Sequence, residues 1–213
     1  MPDFTIRPAR ESDAAFLGWV ILAAARGQLA RGWFDVVLQR EESFCLEFCR
    51  RLVAAPARSW WHWSLFTVAE MDGVPASALC GFGDESVYGA SSAAIAEACK
   101  ALGVSEAEQA QYWPRGKFIL SCTTGEDGAW TIENVATLPA YRGRRLVQAL
   151  LEHEFARAHA EGYARAKISF FIGNEPAERA YARAGFVFAE EATSPEFEAA
   201  LGVPGLRRLV RDI

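Results

Sequence analysis

Arg142, Arg144 and Arg145 crowd into Tyr141-Arg142-Gly143-Arg144-Arg145-Leu146, where the sequence opens a helix. Cations at the amino end of a helix oppose its dipole. Three of them there make sense if an anion binds, with backbone amides from Arg142 to Val147 as further donors. A solvated basic turn is the alternative. A nucleic-acid patch fits less well, because no basic face elsewhere continues it. The flanking elements decide where such an anion would sit. Trp130 to Thr137 reads as a strand, and Leu138-Pro139-Ala140 ends it because proline cannot donate to a ladder. Val147, Leu150, Leu151, Phe155 and Ala158 give the helix one apolar stripe, and Gly162 stops it. Ala166 to Phe171 is the next strand. A strand–helix–strand crossover makes the two strands parallel and right-handed. The strands' carboxyl ends and the helix's amino end then share one edge, where a ligand with phosphates would bind.

Pro139-x-Tyr141-Arg142-Gly143-Arg144, followed by a helix, a strand and Asn174-x-x-Ala177-x-x-Ala180-Tyr181-x-x-x-Gly185-Phe186, resembles the GNAT superfamily of acyl-coenzyme A-dependent N-acyltransferases. Thr5 to Asp13 also looks like that family's first strand and first helix start. The resemblance covers the chain except roughly residues 84–117. It implies an α/β (α+β) fold: a mixed, mostly antiparallel twisted sheet with helices on both faces. Its central parallel strand pair would be splayed to admit acyl-CoA. The expected organisation is a single domain over 1–213 with a helical insertion at about 84–117. The implied cofactor is acetyl-CoA, or another acyl-CoA. One feature departs from the pattern. The family's phosphate loop usually reads Arg/Gln-x-x-Gly-x-Gly/Ala, whereas Arg145 and Val147 fill the two small positions here.

Making an amide from a thioester sets three requirements: the amine must lose a proton, the tetrahedral oxyanion needs donors, and the departing thiolate benefits from a proton. Glu133 is the only carboxylate on the strand before the loop, in phase with Val135 and Thr137. The resemblance makes it a general base, a surface or structural glutamate being the alternative. Asn134 is the neighbour that could hold a water or the acceptor instead. Tyr181 falls where the family carries its thiolate-protonating tyrosine, and a phenol of pKa about 10 stays protonated at neutral pH. Asn174 can cap the helix after it, and in the family the matching asparagine contacts the cofactor. Backbone amides of Val135, Ala136 and Thr137 are expected to meet the oxyanion and pantetheine. Those of Arg142, Gly143, Arg144, Arg145, Leu146 and Val147 are expected to meet the pyrophosphate. The acceptor would be a small-molecule or peptide amine; polyamine, amino acid, antibiotic amine and peptide N-terminus stay open. The second reading is a catalytically weak or inactive acyl-CoA-binding sensor or partner module, motivated by Arg145 and Val147.

The 213 residues, half of them apolar, supply a large core, and the net charge of −5 disfavours a general nucleic-acid binder. Cys45, Cys49, Cys80, Cys99 and Cys122 are an odd set without a Cys-x-x-Cys pair, which suggests reduced, buried cysteines in a cytoplasmic protein. No apolar stretch approaches membrane-spanning length, and no signal-like start is evident. His62, His153 and His159 make no metal-ligand spacing, so no metal is assigned. Along the chain, a helix capped by Ser12 is expected to run to about Ala25. A second is expected over Phe34 to Ala54, and a hairpin over Leu65 to Phe82 turning at Asp72-Gly73. Trp60-Trp61-His62-Trp63 reads as an aromatic wedge in the core or at an interface, or else as an aromatic wall for an acceptor amine. The insertion reads as helices over Ser91 to Leu102 and after Ser105, the latter ended by Tyr112 to Arg115. A strand at Phe118 to Cys122 and a turn at Glu126-Asp127-Gly128 are expected next. A substrate-side lid or wall and a homodimer contact are competing roles for it. A short helix within Thr193 to Leu201 and a closing strand, Leu206 to Val210, complete the chain.

Overall fold

A computed structural model describes residues 4–123 and 128–213. In chain order the strands are β1 (Phe4–Pro8), β2 (Phe66–Met71), β3 (Val74–Phe82), β4 (Trp130–Thr137), β5 (Arg165–Phe171), β6 (Val187–Thr193) and β7 (Gly205–Asp212). The α-helices are α1 (Ala14–Arg26), α2 (Trp33–Leu38), α3 (Glu42–Val53), α4 (Ser91–Ala101), α5 (Glu106–Gln109), α6 (Tyr112–Gly116), α7 (Leu146–Ala160), α8 (Glu175–Arg183) and α9 (Pro195–Leu201). The sheet runs β1-β2-β3-β4-β5-β7-β6. Every neighbouring pair is antiparallel except β4 and β5, which α7 joins as a parallel crossover.

Two large cores flank the sheet, and a smaller third cluster gathers Phe118, Cys122, Phe171 and Phe197. On one face α1 and α3 bury Leu17, Ile21, Phe48 and Leu52 against Phe66, Val68, Ala78, Cys80 and Phe82. On the other, the stripe of α7 (Leu146, Leu150, Leu151, Phe155, Ala158) packs on Leu79, Trp130, Ile132 and Ile168. All five cysteines are buried and free, the state expected of them as small hydrophobes. The β2–β3 hairpin turns at Asp72 and Gly73, both with positive φ, as a two-residue hairpin turn demands.

Local corrections follow from packing. The helix expected over Phe34 to Ala54 is broken into α2 and α3, with Gln39 left-handed between them at φ 51°. Ser12 does not cap α1. It lies inside a 3-10 turn, and the Asp13 carboxylate instead accepts from the Arg10 amide at 2.7 Å. Tyr112 to Arg115 forms its own turn, α6, rather than an end to α5. The strand expected at Phe118 to Cys122 is a 3-10 helix over Lys117–Ser121. β3 pairs directly with β4, so this segment has no sheet edge to join. It packs on α9 instead, with the Phe118 and Phe197 rings 5.7 Å apart. Of the expected turn at Glu126-Asp127-Gly128, Glu126 and Asp127 lie outside the described residues.

Candidate active site

β4 and β5 pair only where Trp130–Ile132 meets Ala166–Ile168. β4 nevertheless continues along β3 to Thr137, opposite Ser77, and β5 continues along β7 to Phe171, opposite Leu206. Their facing edges part from Glu133 and Ser169 onward, giving a fork in the middle of the sheet. The cause lies in β4. Between the pairs Ala78–Ala136 and Cys80–Glu133 the register slips, so Asn134 and Val135 oppose Leu79 alone. This is a β-bulge, which bends its strand and leaves a residue unpaired. Asn134 takes φ 52°, a left-handed conformation asparagine tolerates better than most side chains. The Asn134 side chain is buried, and its Nδ2 has no partner among the described residues.

The fork exposes backbone donors on one edge of β4. Leu138 N–H reaches the Ala76 carbonyl at 2.9 Å, so it faces β3. By alternation Ala136 also faces β3, while the N–H groups of Val135 and Thr137 turn toward the gap. Ser77 Oγ locks the β3 side by donating to the Ala136 carbonyl at 3.0 Å.

Glu133 and Tyr181 approach this fork from opposite faces. Trp130 and Ile132 belong to the core under α7, so Thr131 and Glu133 point toward the α1–α3 face, where Cys80 and Phe82 lie. Glu133 is half-buried beside Lys167, whose β5 position pairs with Thr131. Burial pushes the Glu133 carboxyl up to about 7, against the opposing pulls of the Lys167 charge and of the Tyr88 hydroxyl. Tyr181, on α8, is 7 % exposed in the α7-side core. Its ring packs between Phe170 and Phe186, at 5.6 and 6.1 Å. Burial first, and the Glu133 charge second, hold its phenol above the ordinary value, so it stays protonated.

Asn174 precedes α8, and its Oδ1 accepts from the Ala177 amide at 3.3 Å, which is the capping bond its position suggested. The α1–α2 loop comes up beside it: Gln28 Nε2 donates to the Ile172 carbonyl at 3.3 Å.

The basic loop begins as a 3-10 turn over Pro139–Tyr141, and α7 proper starts at Leu146. Arg142, Gly143, Arg144 and Arg145 are exposed, Leu146 is buried and Val147 is half-buried. Among the described residues none of the three arginines pairs with a carboxylate; Arg144 lies 5.8 Å over the Tyr141 ring. Gly143 has φ 77° and Arg145 has φ 62°. Arg145 thus holds a left-handed conformation where the pattern described above has a small residue.

The tryptophan run divides by role. Trp61 is core, against Phe34 at 5.9 Å. Trp60 is half-buried and faces Tyr88, with ring centroids 5.5 Å apart. Tyr88 and Glu85 were not legible as site residues. Both come from a 3-10 turn, Glu85–Tyr88, at the start of the insertion. Tyr88 Oη donates to Glu133 Oε1 at 3.5 Å, and Lys167 pairs with Glu85. A lysine inside the apolar run of β5 was a signal for this cluster that the sequence carried. Among the described residues no group of three or more His, Cys, Asp or Glu could hold a metal ion, and no helix is long and apolar enough to cross a membrane.

Comparison with known proteins gives three results. The sequence profile described as "Acetyltransferase (GNAT) family" matches residues 36–186. No curated protein sequence matches the chain. Among solved structures, one described as an acetyltransferase superposes with a TM-score of 0.71 at 16% identity, covering 98% of this chain and 99% of that one. A putative acetyltransferase from Salmonella typhimurium, solved with its cofactor acetyl-CoA, gives 0.57 at 16% identity, covering 98% and 93%. A Drosophila melanogaster polyamine N-acetyltransferase, an enzyme that catalyses the formation of N-acetylagmatine, gives 0.57 at 14% identity, covering 99% and 100%. At these identities the structures establish the fold alone.

Proposed function

The chain belongs to the acetyltransferase (GNAT) family, and from that premise we propose that it transfers an acyl group, acetyl first among them, from acyl-CoA to a primary amine. The fork between β4 and β5 carries this reading. It is an opening with backbone donors on its edge that are unpaired among the described residues, Glu133 on one face and Tyr181 on the other. A basic helix start lies at the same edge of the sheet. These features fit a long ligand with a thioester at one end and phosphates at the other. Bound acyl-CoA would supply an acyl carbon open to attack and a thiolate leaving group.

The chain's own residues would divide the remaining work. Arg142, Arg144 and Arg145, with amides from Arg142 to Val147, would hold the phosphates at the amino end of α7. The Val135 and Thr137 N–H groups would bind the pantetheine amides and the oxyanion. Glu133 would take one proton from the incoming ammonium, directly or through one water, and a carboxyl near 7 suits that task at neutral pH. The Tyr181 hydroxyl would give its proton to the departing sulfur and recover one from the acylated nitrogen through solvent. No covalent enzyme intermediate is needed. Trp60 and Tyr88 would line the acceptor side, where an aromatic face suits a cation.

The test is release of free CoA from acetyl-CoA with a panel of amines: agmatine and other polyamines, amino acids, aminoglycosides and peptide N-termini. Turnover with at least one class supports the enzyme reading. A CoA-dependent rise in melting temperature without turnover supports the second reading, a binding module, which Arg145 in its left-handed conformation favours. Replacing Arg142 and Arg144 with alanine should reduce that rise. Absence of CoA binding by calorimetry at millimolar concentration refutes both.

A further inference from the structure

Among the described residues of the segment between β3 and β4, the 3-10 turn Glu85–Tyr88 reaches back into the fork. Asp84 fixes the entry to that turn by accepting from the Ser86 amide at 2.9 Å. Its first and last residues then touch different strands. Glu85 pairs with Lys167 on β5, and Tyr88 donates to Glu133 on β4. Lys167 stands opposite Thr131, two residues before Glu133 and on the same face, so the turn spans the fork at the point where the pairing of β4 with β5 stops. Tyr88 is 37 % exposed, and two rings meet its inner side. Phe82 meets it edge-on at 5.3 Å, and Trp60 lies 5.5 Å away. A hydroxyl on a ring fixed in this way aims at one place.

We propose that this turn is a clamp across the fork and that Tyr88 is a positioning residue for the Glu133 carboxylate. The hydroxyl would hold Oε1 of Glu133 so that the other oxygen faces the opening. The charge-bearing and titratable groups around Glu133 are Lys167 from β5, Tyr88 and Glu85 from the turn, Cys80 from β3 and Tyr181 from α8. Removing the single oxygen of Tyr88 keeps its ring, and so the wall against Phe82 and Trp60. A donor to the ionised carboxylate favours the charged form, so its loss disfavours that form. This inference rests on the acyltransferase reading for its kinetic consequence, but not for its structural one.

The experiment compares wild type with Tyr88→Phe by two readouts. The first is carbon-13 titration of the glutamate carboxyls in the full chain, with the Glu133 resonance assigned by its loss in Glu133→Gln. Its midpoint should move up by about half to one pH unit in Tyr88→Phe, the share of a charge-assisted hydrogen bond expected at the long end of the distance range. The second is the pH profile of kcat/KM for the best amine. Its acidic limb should move up by the same amount while the Kd for CoA stays constant. A merely structural role for Tyr88 would lower the melting temperature and leave both midpoints in place, and that result overturns the proposal. A moved carboxyl titration with an unmoved kinetic limb keeps the clamp and refutes Glu133 as the base. Glu85→Gln supplies the second variant: with the tie to β5 weakened and the turn loosened, adding Tyr88→Phe should move the Glu133 midpoint less than it does in the otherwise wild-type chain, and an equal move in both backgrounds counts against the clamp.

Discussion

Replacing Glu133 with glutamine should cost activity and return stability, and the second effect should depend on pH in a fixed direction. The folded protein raises the Glu133 carboxyl from the ordinary 4.5 to about 7, chiefly through burial. Below pH 4.5 the group is protonated whether the chain is folded or unfolded, and it costs nothing. Between 4.5 and 7 the unfolded chain ionises first, so stability falls as pH rises. Above 7 both states are ionised and the cost is constant. An interval of about 2.5 pH units at about 1.4 kcal/mol each gives roughly 3 kcal/mol at pH 8, against about 1 kcal/mol at pH 5. Glu133 keeps some solvent contact, which reduces the difference between the two pH values to about 1–2 kcal/mol. Glutamine has the same shape, and its carbonyl can still accept from Tyr88. Whatever else the substitution changes is common to both pH values and cancels in the comparison. Urea unfolding of both proteins at pH 5 and pH 8 is the assay. The mutant should gain on wild type between the two. Parallel stabilities across that range would mean that Glu133 carries no burial cost, and the case for a carboxyl tuned to take protons near neutrality would fall with it.

Other substitutions test the remaining parts. With acceptor amine, Glu133→Gln should slow turnover most at pH values where the amine is protonated, and higher pH should partly rescue it; a uniform loss would transfer the base role to a water chain, which Asn134 could hold. Tyr181→Phe keeps the ring between Phe170 and Phe186 and removes the proton. In pre-steady-state assays its chemical step should slow while CoA affinity is unchanged, because the lost contact belongs to the transition state; an unaltered step removes Tyr181 from the mechanism. Arg145→Gly relieves a left-handed side chain at a cost in chain entropy, for a net gain of at most about 1 kcal/mol, or about 2–4 °C in Tm. Its Kd for CoA should rise if the guanidinium pairs with phosphate, as read by calorimetry at two salt concentrations; an unchanged Kd would leave Arg145 as a solvated residue.

Much of this arrangement was legible because it is local. The stripe from Val147 to Ala158, the proline after Thr137 and the capping pattern at Asn174 each depend on neighbours a few residues away, and each element lies where those signals put it. Signals that depend on distant partners were lost or misread. Phe118 to Cys122 has strand composition, but a strand needs an edge, and β4 already occupied β3. Phe34 to Ala54 has one apolar face, yet Gln39 breaks it, and nothing in the residue type announces a left-handed glutamine. The fork shows the limit most sharply. Asn134 was read as a neighbour that might hold water, whereas its left-handed backbone makes the bulge that turns β4 away from β5. Alternation alone would have carried β4 straight along β5 and closed the gap. Tyr88 reaches Glu133 across 45 positions of sequence, through a turn whose own residues carry no pattern for chemistry. In this chain the residues of the site were readable one at a time and the splayed pair followed from the family resemblance, but the cause of the opening, the bulge at Asn134, is a property of the sheet.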